Sequence, residues 1–179
     1  VDMVVRTMSI TCERRRRVAF STAYFEAGQQ LLVAAGSPVT GYDDSLVGRR
    51  VCTARGSTAA DLLAREPHGA RVRLVENQLD CLVLLQLHQV DAVLTDNALA
   101  AGQAAQDPTL HLVGEPLTVE PYGVAMNLAD EDLVRRVNRI LADYQAGGRD
   151  SRWRAAYETW LAEALDDPEL MPPEPKYRD

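Results

Sequence analysis

Short apolar runs alternate along this chain with segments whose apolar residues recur at helical spacing. From Gly48 the alternation is regular. RVCTA at 50–54 reads as a strand, Gly56-Ser57-Thr58 as a turn with capping residues, and 59–66 as a helix. RVRLV at 71–75 is a second strand, and Asn77 caps a leucine-rich helix running to about Gln89. DAVL at 91–94 is a strand, Asp96 opens a helix to about Ala105, and 110–113 is a strand. Strands separated by helices at this spacing predict an α/β layer with a largely parallel sheet.

The flanks are less regular. Residues 2–8 (DMVVRTM) read as a strand, Thr11 to Arg14 as the start of a short helix or turn, and 18–21 as a brief apolar stop. QQLLVAA at 29–35 is a strand broken by Gly36-Ser37-Pro38. After the regular block, 121–126 reads as one strand. A long helix starts at Asp130 or Asp132, with Leu133, Val134, Val137, Ile140, Leu141 and Tyr144 in helical register, and Gly147-Gly148 ends it. A last helix over 152–164 carries Trp153, Tyr157, Trp160 and Leu161 on one side. Residues 165–179 contain four prolines and read as an extended tail. If the regular block is a lobe of its own, the segments near 24–28 and 118–122 are its hinge, and a ligand lies in the cleft that closure buries.

Composition narrows the function. A formal net charge of −7 with 46% hydrophobic residues argues against a disordered tail and against a nucleic-acid binder. No apolar run approaches the ~18–20 residues of a membrane-spanning helix. Lys176 is the only lysine beside many arginines; a GC-rich genome gives that bias, so each arginine must be argued by position. The three cysteines, Cys12, Cys52 and Cys81, show no CxxC or CxxH spacing, which leaves one pair plus one orphan as a possibility and gives no sign of zinc. No nucleotide or phosphate loop and no GxSxG elbow occurs, and His68, His88 and His111 are scattered. Nucleophilic catalysis, a metal and a cofactor are therefore not expected. No signal peptide or lipidation motif is present, and Val1-Asp2-Met3-Val4-Val5 reads as a core strand with no preceding element.

Three places could carry chemistry. Gly56-Ser57-Thr58, between a strand and a helix, is either an ordinary N-cap or a turn whose N–H and O–H groups bind a carboxylate or phosphate. Asp96 stands at a strand's C-terminal end, where α/β layers collect ligands; it is either an N-cap or an acceptor for an ammonium group. Arg14, in SITCERRRR, is either a bidentate carboxylate clamp or part of a solvated patch, the fate expected for Arg15 to Arg17. An arginine, a donor-rich helix start and an aspartate together match the two charged ends of an α-amino acid.

These residues sit in recognisable segments. VDMVVRTMSITCERRRRVAFSTAYFEAGQQLLV resembles the polar-amino-acid family of type 2 periplasmic solute-binding proteins, in which a D-(hydrophobic)…T-x-x-R…FS-x-x-Y segment crosses between lobes. GRRVCTARGST (48–58), DAVLTD (91–96), PYGVA (121–125) and YETWL (157–161) agree in order. The tail MPPEPKYRD and the cysteine contexts SITCER, RVCTARG and DCLV resemble actinobacterial glutamate-binding lipoproteins of ABC importers. The resemblance covers residues 1–164 and extends to the tail.

It implies a two-lobe α/β fold of the periplasmic binding protein type 2 class. Lobe 1 would comprise 1–25 and 121–164, lobe 2 would comprise 26–120, and a Pro-rich tail would follow. By position, the carboxylate-clamping arginine falls on Arg14, with hydroxyl and backbone contacts on Thr7 and Ser9. The anion-binding turn falls on Ser57 and Thr58, and the ammonium-binding aspartate on Asp96, after Thr95. Glutamine-binding relatives carry glycine where Thr7 stands and lysine where Ala54 stands, so side-chain selectivity is expected to differ. An acidic ligand side chain would need a guanidinium, for which Arg6 and Arg55 are the candidates. Cys52 and Cys81, on a strand and its facing helix, are expected to pair as in an exported protein, leaving Cys12 free. The family's opening strand, aromatic stacking residues and G-[FY]-x-[VI]-[DE] stretch would precede residue 1, so lobe 1 is expected to be incomplete at its N-terminus, with exposed sheet edge.

The implied function is an extracytoplasmic, non-enzymatic component of an ABC importer for a polar amino acid, glutamate first, with glutamine or aspartate next. Its partners would be the ligand and a permease, with membrane contact only through an anchor outside this chain. The alternatives are a cyclohexadienyl dehydratase-like enzyme on the same fold, which would need a general acid or base facing Arg14 and Asp96, and an amino-acid sensor or inactive remnant.

Overall fold

The computed structural model describes residues 1–177. The chain folds as two compact units, one built from Val1–Ala27 with the chain from Glu120 onward, the other from Gly28–Val119.

The first unit opens with β1 (Met3–Val4), a 3-10 turn at Arg14–Arg16, β2 (Ala19–Phe20) and β3 (Phe25–Ala27). The strand expected over 2–8 is therefore two residues long, and the expected apolar stop at 18–21 is itself a strand.

The second unit holds a five-stranded sheet. Its elements are β4 (Gln29–Ala34), β5 (Arg50–Ala54), α1 (Thr58–Arg65), β6 (Arg71–Val75), α2 (Gln78–Gln86), β7 (Ala92–Asp96), α3 (Asn97–Ala104) and β8 (Leu110–Val113). The strand order is β6-β5-β7-β4-β8. β5 pairs in parallel with β6 and β7, whereas β4 is antiparallel to both β7 and β8. The sheet is thus mixed where a largely parallel one was expected. No crossover helix precedes β5: the chain leaves β4 through a loop with one 3-10 turn at Asp44–Leu46, and such a return reverses strand direction.

β4 is buried on both faces, which explains its unbroken QLLVA run. Successive side chains alternate across the sheet. Leu31 and Val33 join Val51, Leu62, Leu63 and Leu94 in one core, and Leu32 joins Cys52, Cys81, Leu85 and Val93 in the other. A fully buried leucine such as Leu32 contributes about 1.5–3 kcal/mol. α2 stops at Gln86, short of the expected Gln89, because His88 takes a left-handed φ of 53°.

The returning chain forms β9 (Glu120–Tyr122), β10 (Ala125–Met126), α4 (Glu131–Gln145), α5 (Arg152–Trp160) and α6 (Ala162–Leu165). The single strand expected over 121–126 is two, because β9 pairs with β3 and β10 lies between β1 and β2. The break falls at Gly123, where a Cβ would lie 2.8 Å from Ile10 Cδ1. Phe25, Tyr122, Trp153 and Tyr157 stack in one cluster, with the Trp153 and Tyr157 rings 5.3 Å apart. Trp160, expected on that face, is 78% exposed because α5 ends there. Ile140 of α4 also faces outward. The tail is non-helical but tied down: Arg154, only 5% exposed, donates to the carbonyls of Pro168 and Leu170, and the Tyr157 hydroxyl donates to that of Asp167. Arg178 and Asp179, the last residues of the expected tail, lie outside the described residues.

Candidate functional site

In the second unit, the C-terminal ends of β5 and β7 and the start of β4 come to one edge of the sheet. The turn after β5 is built locally. Gly56 takes a φ of 70°, a conformation glycine adopts without strain. Ser57 caps α1, accepting from Ala60 N at 3.1 Å while its hydroxyl donates to Ala54 O at 2.7 Å. The side chain of Ser57 is thus engaged inside the turn. Thr58, the first residue of α1, turns its hydroxyl toward β4.

Asp96 ends β7 and is 7% exposed. It occupies the N-cap position of α3 without forming a side-chain cap bond. Asn97 does the local work, its Oδ1 accepting from Ala98 N at 2.9 Å and from Gly28 N at 3.1 Å. The carboxylate instead accepts a hydrogen bond from Gln29 Nε2, and the same amide nitrogen donates to Thr58 Oγ1 at 2.9 Å. Gln29 therefore brings two expected site residues, Thr58 and Asp96, to one point. Thr95 is buried, but as the strand neighbour of Asp96 it faces the opposite side of the sheet. Arg55 pairs with Glu76 at 2.9 Å in an exposed ion pair.

In the first unit, Ser9 is 2% exposed and bridges Tyr122 of β9. Its carbonyl accepts from Arg14 Nη1 at 2.9 Å, and Thr11 Oγ1 accepts from Arg14 N at 3.1 Å. The guanidinium is thus folded back on the SIT segment. Arg16 and Arg17 are exposed, the latter 3.9 Å from Glu13, while Arg15 is half-buried. Arg6 is exposed and its carbonyl accepts from the Tyr24 hydroxyl, whose own ionisation burial pushes up. Thr7 is half-buried. A hollow of about 640 Å³ in this unit, lined by Arg15, Phe20, Ser21, Thr22, Arg135 and Asn138 among others, contains none of the expected ligand residues.

Cys52 in β5 and Cys81 in α2 form a disulfide with Cα atoms 5.6 Å apart, and Cys12 is an exposed free thiol. Three groups at the sheet edge were not singled out from sequence: Gln29, Gln78, whose Oε1 accepts from Ala54 N at 3.0 Å, and Thr118, whose Oγ1 accepts from Gln29 N at 3.1 Å. The one signal available was a glutamine pair opening an otherwise apolar strand.

Residues 1–163 match the family described as bacterial extracellular solute-binding proteins, family 3. The chain belongs to this family. Among family 3 relatives, the ABC transporter glutamine-binding protein GlnH of Bacillus subtilis is 36% identical over 163 residues, covering 91% of this chain and 59% of its own length. The glutamate-binding protein GluB of Corynebacterium efficiens is 29% identical over 163 residues, covering 86% of this chain and 54% of its own. The chain thus spans between half and three fifths of the length of these two relatives. A solved ancestral arginine-binding protein bound to arginine matches with a TM-score of 0.79 and 32% identity over 90% of this chain and 72% of that one. The α/β architecture of this family 3 chain is that of the type 2 periplasmic binding proteins.

Proposed function

We propose that this chain is the amino-acid-binding component of a bacterial ABC importer, working outside the cytoplasm and passing its ligand to a permease without covalent chemistry. The observation that carries the reading is Asp96: a nearly buried carboxylate at a strand end, not used to cap its helix, and held beside the start of α1. A carboxylate so placed is an acceptor for an ammonium group. Arg14, ordered through Ser9 and Thr11, is assigned the ligand's α-carboxylate. Ser9 and Thr7 are assigned beside the arginine, and the turn at Ser57 and Thr58 is assigned the anion-binding role toward the ligand's carboxylate.

The ligand proposed is a polar amino acid, glutamate first and glutamine second. Relatives named for glutamine, glutamate and arginine support the class. An acidic side chain needs a cation, and since Arg55 is already paired with Glu76, Arg6 is the better candidate. Calorimetric titration of the full-length protein with L-glutamate, L-glutamine, L-aspartate and L-arginine tests this, with glutarate as the control lacking the ammonium. Binding of glutamate or glutamine at about −8 kcal/mol, a micromolar affinity, with no binding of glutarate is expected. Glutarate binding as tightly as glutamate, or failure of all four amino acids, overturns the reading.

A further inference from the structure

Gln29 is 1% exposed and opens β4 directly opposite Asp96. Its Nε2 donates to two acceptors at once, Asp96 Oδ1 on β7 and Thr58 Oγ1 on α1. Its Oε1 is buried and has no hydrogen-bond partner among the described residues. A residue kept only to fill space would not be an amide here. Leucine or methionine would occupy the volume without leaving a buried acceptor unmet, which is unfavourable. The amide is held with its donor end toward the two groups and its acceptor end unsatisfied.

The backbone around it is fixed to the same end. Gln29 N donates to Thr118 Oγ1 at 3.1 Å, Leu117 N donates to Gln29 O at 2.8 Å, and Gly28 N donates to Asn97 Oδ1. The side chain thus starts from an anchored strand end, and neither Asp96 nor Thr58 belongs to that strand.

We infer that Gln29 is a positioning residue for amino-acid binding: one buried amide presets the Asp96 carboxylate as the acceptor for the ligand's ammonium and, by occupying the Thr58 oxygen, leaves the Thr58 hydroxyl proton to the ligand's carboxylate, both at the α-carbon end. This rests on the amino-acid-binding reading above. Preorganised groups bind more tightly because less ordering remains at the moment of binding. Because Gln29 acts on the end common to all α-amino acids, its loss weakens every such ligand by the same factor, whatever the side chain.

The test pairs calorimetry with amide NMR on the full-length protein. In Gln29→Met, affinities for L-glutamine and L-glutamate, or for whichever of them binds the parent, fall at least tenfold. Where both bind, the two losses agree within about twofold, consistent with one charge-assisted hydrogen bond lost at a shared end. In the parent without added amino acid, the two Gln29 side-chain NH₂ protons exchange slowly and are shifted downfield; Thr58→Val moves them, a signature mere space-filling does not give. If Gln29→Met does not fold, the NMR comparison of parent and Thr58→Val decides. Unchanged affinity in a folded Gln29→Met, a loss confined to one of two bound ligands, or fast-exchanging amide protons overturns the inference and leaves the amino-acid-binding reading standing. A parent that binds none of the four amino acids overturns that reading, and the inference with it.

Discussion

Cys81 in α2 is bonded to Cys52 in β5, the strand that ends at the turn of residues 56–58. Both sulfurs lie in the core that Leu32, Leu85 and Val93 build. Gln78, at the start of the same helix, holds Ala54 N at the other end of that strand. The bridge therefore fastens α2 and, through Gln78, steadies the turn. The bond spans 29 residues, for which chain entropy suggests a stabilisation of about 3–4 kcal/mol. A variant with both cysteines changed to alanine is expected to lose about 2–4 kcal/mol in urea unfolding, with a steeper slope because the unbridged unfolded chain is more open. A loss below about 1 kcal/mol would show that the unfolded chain is not constrained by the bridge.

Arg154 gives a second prediction. It reaches Glu158, the carbonyls of Pro168 and Leu170, and the Tyr157 ring from a buried position. Arg154→Met removes those donors, and with them the charge-assisted bonds that hold exposed Pro168 and half-buried Leu170. A destabilisation of about 2–3 kcal/mol follows, and residues 166–171 become open to limited proteolysis. Survival of that segment under protease at parental rates would contradict the pinning role.

Arg50 and Asp91 make the pH dependence specific. Arg50 donates to Asp91 from its backbone nitrogen and twice from its guanidinium, the shortest side-chain contact being 2.8 Å. The guanidinium's hydrogen bonds, the largest cause, lower the Asp91 pKa, and partial burial opposes them. A carboxylate lowered on folding stabilises fully above its unfolded value near ~4, and the contribution fades as pH falls through the folded value. With Arg50 about half exposed, solvent screens the pair and its contribution is small. Asp91→Asn should cost little stability at pH 7 and show a shallower decline below pH ~4 in denaturant titrations. An identical acid slope in the variant would exclude Asp91 as its source.

Gly28 carries the fourth prediction. A Cβ there would lie 2.6 Å from Thr118 O and 2.7 Å from Pro116 Cβ. Gly28→Ala must displace the 116–118 segment that accepts from Gln29 N, at a cost of about 1–3 kcal/mol. Urea midpoints measure the cost, and an unchanged midpoint would mean that the segment gives way freely.

The α/β class was legible because RVCTA, RVRLV and the leucine-rich helix repeat at βα spacing, and the boundaries of β5, β6 and β8 agree with the sequence reading. The direction of β4 was not legible, since strand direction depends on whether the next connection crosses the sheet, and loops carry no such periodicity. The split of 121–126 hinged on a close approach of Ile10 to Gly123, a contact over a long sequence separation. At the candidate site, Asp96 and the Gly56-Ser57-Thr58 turn stood out because each ends an apolar strand with a distinctive group, and Arg14 because it opens the basic run of SITCERRRR. Gln29 did not, because a buried glutamine in a strand becomes informative only once Asp96 and Thr58 are brought beside it.

The most direct measurement is the titration of Asp96→Asn with L-glutamate or L-glutamine, whichever binds the parent. The substitution keeps size and an acceptor for Gln29 and removes only the charge. Affinity is expected to fall about 100-fold, equivalent to ~2.7 kcal/mol, with the fold intact by circular dichroism. Binding within about threefold of the parent would contradict the assignment of the ammonium to this carboxylate.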